Sequence, residues 1–90
     1  MISLSDCIAL CGLSEAEVLA IAEHEHVPEI VATSIAHKLM AKKLGPLHVR
    51  DMIRDDIRDA VTRNEFVHAR ELLAVLHHFL RDHPEARPAL

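Results

Sequence analysis

Histidine is the residue type that most clearly suggests chemistry in this sequence, because eight of the 90 residues are histidines. They are His24, His26, His37, His48, His68, His77, His78 and His83. His26 follows Glu23 by three positions, and His68 follows Glu65 by the same spacing. In a helix, Glu-x-x-His places a carboxylate and an imidazole on one face, and di-metal sites in helical bundles use this motif twice. The spacing therefore predicts a zinc or iron site formed by Glu23, His26, Glu65 and His68.

The connections between the predicted helices would bring these two motifs together. In a bundle whose helices run up and down, the end of the second helix, the start of the third, the end of the fourth and the start of the fifth share one pole. Glu29 and Asp59 would also lie at that pole, as candidates for the bridging carboxylates that a di-metal site needs. The alternative is a solvated acidic pole without a metal, because Glu-x-x-His arises easily in a sequence rich in both residues.

The two cysteines suggest chemistry less strongly. Cys7 and Cys11, followed by His24, have the spacing of the first three ligands of a zinc finger, but His26 follows too closely to be the fourth. We expect both cysteines to be reduced and buried. No serine or cysteine has a base and an orienting group at a recognisable spacing, and two glycines are too few for a phosphate-binding loop. The sequence therefore predicts no enzymatic activity and no bound cofactor other than the metal considered above.

The second and third helices also have the order of a helix-turn-helix motif for DNA. Lys38, Lys42, Lys43 and Arg50 would then contact phosphates. However, Glu29 occupies the position from which a recognition helix reads bases, and the net charge of the chain is −4. The only aromatic residues are two phenylalanines, which leaves little surface for stacking on bases. DNA binding is thus the third of three hypotheses.

The apolar residues recur with a period near 3.6, which predicts an all-α fold, a small bundle of about five helices in a single domain. The predicted helices cover residues 4–11, 15–26, 28–44, 46–63 and 65–82. Pro28 suits the first position of the third helix, and Gly45 suits a left-handed stop at its end. We expect the helical domain to occupy residues 1–83 and a flexible C-terminal tail to follow over residues 84–90, where no apolar pattern continues.

The outer side of the fourth helix carries alternating charges. Opposite charges lie three or four positions apart in Asp51 and Arg54, Asp55 and Arg58, and Asp59 and Arg63. Such pairs stabilise a helix by only about 0.3–0.5 kcal/mol each, so they indicate a solvated face and not a recognition surface.

The start of the sequence bears on location. It lacks a basic region followed by an apolar run, and no stretch of the chain has the roughly 18 uncharged apolar residues that a membrane span requires. We therefore predict a cytoplasmic protein that does not enter a membrane.

The fifth helix has more apolar residues than a bundle of this size can cover. They are Phe66, Val67, Leu72, Leu73, Val75, Leu76, Phe79 and Leu80. Because monomers rarely expose large apolar patches, the surplus predicts a homodimer with Leu72 and Val75 at its seam. The alternative is a monomer in which the short first helix covers this face.

Two segments resemble those of a known group of proteins. The run Ile-Ala-Glu-His-Glu-His at residues 21–26 and the run Leu-His-His-Phe at residues 76–79 are similar to runs in small hypothetical bacterial proteins. The resemblance implies an all-helical bacterial protein and implies no ligand or active site. The sequence therefore favours a non-enzymatic helical protein that acts through protein contacts as a homo-oligomer, ahead of a metal-binding bundle and a DNA-binding module.

Overall fold

The computed structural model describes residues 3–87, which form five α-helices and one short 3-10 helix. The helices are α1 (Leu4–Cys11), α2 (Glu15–Glu25), α3 (Glu29–Met40), α4 (Gly45–Thr62) and α5 (Phe66–Asp82), followed by the 3-10 turn Pro84–Ala86. No strand occurs in this part of the chain, so the predicted all-α fold is confirmed. None of the five helices is long and apolar enough to cross a membrane.

Local hydrogen bonds set the starts of α1 and α2. The Ser14 side chain accepts the backbone N–H of Glu17 at 3.2 Å, and the Glu17 carboxylate accepts the backbone N–H of Ser14 at 2.9 Å. Ser3 and Asp6 form the same reciprocal pair at α1. Each box satisfies N–H groups that have no partner within the helix and contributes about 1 kcal/mol. Both helices therefore begin where the sequence predicts.

A residue in the left-handed region of backbone conformation ends each of α1 and α2, and another lies in the turn after α4. Gly12, His26 and Asn64 have φ angles of 72°, 56° and 61°. Only glycine adopts this conformation without a steric cost, which is roughly 1–2 kcal/mol for other residues. His26 is the C-cap of α2, and its backbone N–H bonds to the carbonyl of Ala22. The backbone of His26 therefore has a structural role of its own at the pole where the sequence placed its side chain.

The third helix is shorter than predicted at both ends. Pro28 is its N-cap and not its first helical residue, and α3 ends at Met40. Gly45 explains the early end, because a Cβ atom there would lie 1.5 Å from the carbonyl oxygen of Leu39. The chain leaves α3 before this point and α4 begins at Gly45, directly against the last turn of α3. The glycine is needed for this close approach and not for the left-handed stop that we predicted.

The centre of the bundle consists of α2, α4 and α5. Helix α4 packs against α5, α2 and α3, and α2 also packs against α3 and α5. The largest fully buried apolar side chains are Val18, Ile21, Val49, Met52, Ile53 and Phe79. Burying a side chain of this size contributes about 1.5–3 kcal/mol. This shared core fixes the relative positions of α2, α4 and α5 and so positions the residues at their ends.

The segment after α5 packs against the bundle as far as it is described. The 3-10 turn contacts α4 and α5, and Ala86 is fully buried. Arg50 donates a side-chain hydrogen bond to the carbonyl of Ala86 at 3.1 Å, and Arg87 donates one to the carbonyl of Leu80 at 3.1 Å. The helical domain therefore extends past the predicted boundary at 83 to residue 87, because one small apolar residue and two arginines attach the segment. Residues 88–90 of the predicted tail lie outside the described range.

Candidate ligand-binding cleft

A cleft of about 730 Å³ opens where the ends of α2 and α4 meet the start of α5. Its lining residues, which define the acidic cleft, are Glu23, His24, His26, Asp55, Asp56, Asp59, Ala60, Arg63, Glu65 and His68. The structure thus brings the four predicted ligands Glu23, His26, Glu65 and His68 to one pole. Asp59 also lines the cleft, and Glu29 does not. The up-and-down arrangement inferred from the short connections accounts for this gathering.

Two of the predicted ligands contact each other across helices. The Nε2 atom of His68 lies 2.5 Å from Oε1 of Glu23, and its Nδ1 atom lies 3.5 Å from Oε2 of Glu71. The hydrogen bond that His68 donates to the Glu23 carboxylate raises the pKa of His68, and partial burial opposes this effect. The contact therefore links α2 to α5 through a charge-assisted hydrogen bond.

The predicted metal ligands lie near one another without converging on a point. Within residues 3–87, no group of three or more histidine, cysteine, aspartate or glutamate side chains is placed to hold a metal ion. His26 and Glu65 are exposed at the end of α2 and just before α5. A stable zinc site needs about four ligands in tetrahedral geometry. The cleft has the residue types of a metal site but not the geometry.

Asp56 is the most unusual residue of the cleft, and it is not among the site residues predicted from the sequence. It is only 9% exposed, and its Oδ2 atom is buried without a hydrogen-bond partner. Burial raises the pKa of Asp56 to about 6, the charge of His24 opposes the shift, and the neighbouring carboxylates add to it, Glu23 first. The sequence did contain a signal: Asp56 lies seven residues after Val49 and three after Ile53, on the apolar face of α4.

His24 is a second polar group of the cleft that the site prediction left out. Its Nδ1 atom is buried and has no hydrogen-bond partner, and its Nε2 atom lies 3.9 Å from Oδ2 of Asp55. Buried polar atoms are hydrogen-bonded in the great majority of cases, and each unsatisfied one costs about 1–3 kcal/mol. His24 and Asp56 therefore place two unpartnered polar atoms in the wall of one cleft.

Three of the other four carboxylates of the cleft have cationic partners, and the fourth, Glu65, is exposed. Asp59 lies 3.4 Å from the Nε atom of Arg63, and Asp55 lies 3.8 Å from Arg58. These are two of the charge pairs predicted along α4. Within the described residues Asp56 takes part in no salt bridge, which distinguishes it from its neighbours.

An apolar groove adjoins the acidic cleft between α2 and α5, with a volume of about 270 Å³. Its lining residues, which define the apolar groove, are Ala16, Leu19, Ala20, Glu23, His68, Glu71, Leu72 and Val75. Glu23 and His68 line both cavities, so the two adjoin at this pair of side chains. Leu72 is buried in the bundle core and Val75 is half-buried beside it, so the two predicted seam residues lie together in this groove.

The outward side of α5 exposes several apolar side chains. Phe66, Val67 and Leu73 are 59%, 71% and 43% exposed. Helix α1 packs against α3, where the Cys11 thiol donates a hydrogen bond to the carbonyl of Thr33 at 3.0 Å. These three side chains of α5 thus remain open to solvent in the single chain.

Comparison with models of protein families, with curated proteins and with solved structures finds no match to this chain. The acidic cleft, the apolar groove and the exposed side of α5 are therefore the features that bear on function. No serine or cysteine lines either cavity, so neither offers the usual nucleophile of an acyl-transfer or hydrolytic enzyme.

Proposed function

We infer that this protein is a non-enzymatic helical protein that acts through protein contacts and associates with a second copy of itself through α5. The observation that carries this proposal is the exposure of Phe66, Val67 and Leu73 on one helix. Scattered apolar residues are normal on a surface, but a group on one helix beside an apolar groove is typical of an interface.

The size and composition of α5 suit a two-fold contact. A standard interface buries about 800 Å² on each partner, and a single chain has 5901 Å² of accessible surface. Arg70 and Glu71 lie between Val67 and Leu73, so a second α5 in antiparallel orientation would face each arginine with a glutamate. The same patch would then cover both copies, with Val75 and Leu72 of the apolar groove at its margin.

Sedimentation velocity at micromolar concentrations tests the dimer with the Val67→Glu variant. We expect the unaltered protein to sediment as a species of about 20 kDa, twice the 10.1 kDa of one chain. Val67→Glu should shift it to the monomer, because each new glutamate would be buried in the apolar contact without a cationic partner. Val67 is 71% exposed in the single chain, so the substitution leaves the bundle itself intact.

Leu10→Glu is the matched control, because Leu10 is 66% exposed on α1, away from α5. This variant should remain a dimer. A monomeric unaltered protein at tens of micromolar would refute the proposal, and so would equal dissociation of the two variants.

Metal binding is the second candidate function, and the meeting of Glu23, His26, Glu65 and His68 in one cleft favours it. Added zinc or iron should then raise the melting temperature by mass action, and His26→Ala should abolish the rise. The lack of a converging group of ligands within residues 3–87 ranks this function below protein contacts.

DNA binding has the least support. Lys38 lies near the end of α3, and Lys42 and Lys43 lie in the turn after it, so only one of the three lysines is on the proposed recognition helix. Glu29 begins that helix, and a phosphate backbone would meet its negative charge.

A further inference from the structure

We propose that the acidic cleft binds a protonated aliphatic amine or a guanidinium group, with Asp56 as the anchoring carboxylate and His24 beside it. The anchoring end of this site is separate from the dimer contact, since Val67 does not line the cleft; the apolar groove beside it shares Leu72 and Val75 with the margin of that contact. The ligand class follows from three properties of the cleft: its charge, its unpartnered atoms and its shape.

The charge of the cleft favours a cation. Five carboxylates and one arginine line it, and the three remaining ionisable residues are histidines. Asp59 is neutralised by Arg63 at 3.4 Å, and Glu23 is paired with His68 at 2.5 Å. Asp55 is itself exposed and in contact with Arg58. Asp56 and Glu65 have no salt-bridge partner within residues 3–87, and of the two only Asp56 is buried in the concave wall, where the field of a carboxylate is less screened by water.

The unpartnered atoms favour a ligand that donates hydrogen bonds. The Oδ2 atom of Asp56 can only accept when the carboxylate is ionised, and it has no donor within residues 3–87. A cationic donor that reaches the carboxylate would form a charge-assisted hydrogen bond with it. The Asp56 carboxylate lines the cleft, and a half-turn about its Cβ–Cγ bond, a soft torsion, exchanges its two oxygen atoms at the wall.

The shape of the cleft favours an organic cation over a bare metal ion. The cavity of about 730 Å³ exceeds the space that one ion needs, and no three ligands in residues 3–87 converge on a point. The apolar groove continues from the cleft past Glu23 and His68, with Leu19, Leu72 and Val75 along it. An aliphatic stem would lie in this groove while its charged end reached Asp56, as the stems of lysine and arginine do on protein surfaces.

Two sources carry this chemistry: a free polyamine, or the lysine and arginine side chains of a basic peptide. Isothermal titration calorimetry on the full chain, at pH 7.5 and 150 mM salt, distinguishes them with spermidine as one probe and an octapeptide of alternating leucine and lysine or arginine as the other. We expect at least one probe to bind. Spermidine alone would identify a small amine as the ligand, and tighter binding of the peptide would identify a basic protein segment.

The Asp56→Asn variant tests the anchor, because it keeps the shape of the side chain and removes its charge. Affinity for the bound probe should fall by more than about tenfold, since the charge-assisted bond is lost. Asp51→Asn is the matched control: Asp51 is an exposed carboxylate of the same helix that lies outside the cleft, and its loss should leave the affinity unchanged. Circular dichroism of both variants establishes that they are folded.

Three results would overturn the proposal. These are the absence of binding by either probe at millimolar concentration, binding to Asp56→Asn as tight as to the unaltered chain, and an equal loss of affinity in both variants, which would indicate a diffuse charge effect. Titration with zinc chloride completes the design, because a chain that binds zinc and neither cation would have a metal site instead. Sedimentation of the Val67→Glu variant is independent of all these outcomes, so failure of the cation site and failure of the dimer are distinguishable.

Discussion

Glu17 and Asp56 are both buried carboxylates, and they differ in how their oxygen atoms are satisfied. Glu17 is 2% exposed; its Oε1 atom accepts the backbone N–H of Ser14 at 2.9 Å, and its Oε2 atom lies 3.0 Å from Nδ1 of His78. Asp56 is 9% exposed, and its Oδ2 atom has no partner. The first carboxylate joins the start of α2 to the end of α5, whereas the second faces the acidic cleft.

The difference separates a structural acid from a candidate binding group. Removing an ionised carboxylate from water costs several kcal/mol unless hydrogen bonds replace the lost solvation. Glu17 recovers this cost through the chain itself. Asp56 recovers less of it. The folded chain is therefore destabilised at this residue, and a bound ligand, a proton or an isosteric neutral residue there would stabilise it.

The largest effect should come from removing the satisfied carboxylate. Glu17→Ala removes the carboxylate half of the capping box of α2 and leaves the N–H of Ser14 and the Nδ1 atom of His78 without their partner. We expect the free energy of unfolding, measured with urea, to fall by about 2–3 kcal/mol. Glu15→Ala, at an exposed position in the same turn, should change it by less than about 0.5 kcal/mol. Equal effects of the two substitutions would show that the partners of Glu17 contribute nothing.

The opposite sign is expected at Asp56. Because burial raises its pKa from 3.8 to about 6, the folded chain keeps between pH 4 and 6 a proton that the unfolded chain has lost. The free energy of unfolding therefore falls as the pH rises through this interval, by up to about 3 kcal/mol, and does not recover above it. Asp56→Asn has no charge to bury, so it should melt several degrees higher than the unaltered chain at pH 8 and at nearly the same temperature at pH 4. A lower melting temperature at pH 8 would mean that the carboxylate has a stabilising partner.

The smallest effect concerns the exposed contact at the edge of the cleft. The hydrogen bond that His68 donates to Glu23 raises the pKa of His68. Its stabilisation is therefore fully present below about pH 6.5, the ordinary pKa of histidine, and is lost as the pH rises through the raised pKa. Glu23→Gln should lower the pKa of His68 in an NMR titration and reduce stability at pH 6 by less than about 1 kcal/mol. Glu25→Gln, on the next residue but one of α2, is the control and should leave the pKa unchanged.

The sequence predicted those parts of the fold that local interactions determine. Both bounds of α1 follow from a capping box at Ser3 and a left-handed Gly12, and neither requires knowledge of the other helices. The end of α3 could not be read in the same way, because it depends on the approach of Gly45 to the carbonyl of Leu39 in the folded bundle. Asn64, predicted to tolerate a left-handed turn, does so at φ 61°.

The site was predicted in part for the same reason. Helix connectivity was enough to place Glu23 and His68 at one pole, since short connections force neighbouring helices to run antiparallel. The burial of Asp56 depends on how α2 lies across α4, and the charge pairs of its neighbours with Arg58 and Arg63 indicated only a solvated face. A carboxylate on the same helix face as Val49 interrupts the apolar pattern, and such exceptions are expected at functional or strained positions.

The 3-10 turn after α5 affects how the protein should be produced. The hydrogen bond between Arg50 and Ala86 joins residues 36 positions apart and forms across the start of α4. Such a distant contact closes late in folding, because the chain must first bring α4 and α5 together. An expression plasmid that stopped at residue 83 would encode a chain in which the site filled by Ala86 is empty and Arg50 has lost its acceptor. Such a shortened chain would expose the underlying core to proteases during purification, so a recombinant version should retain the turn through Arg87.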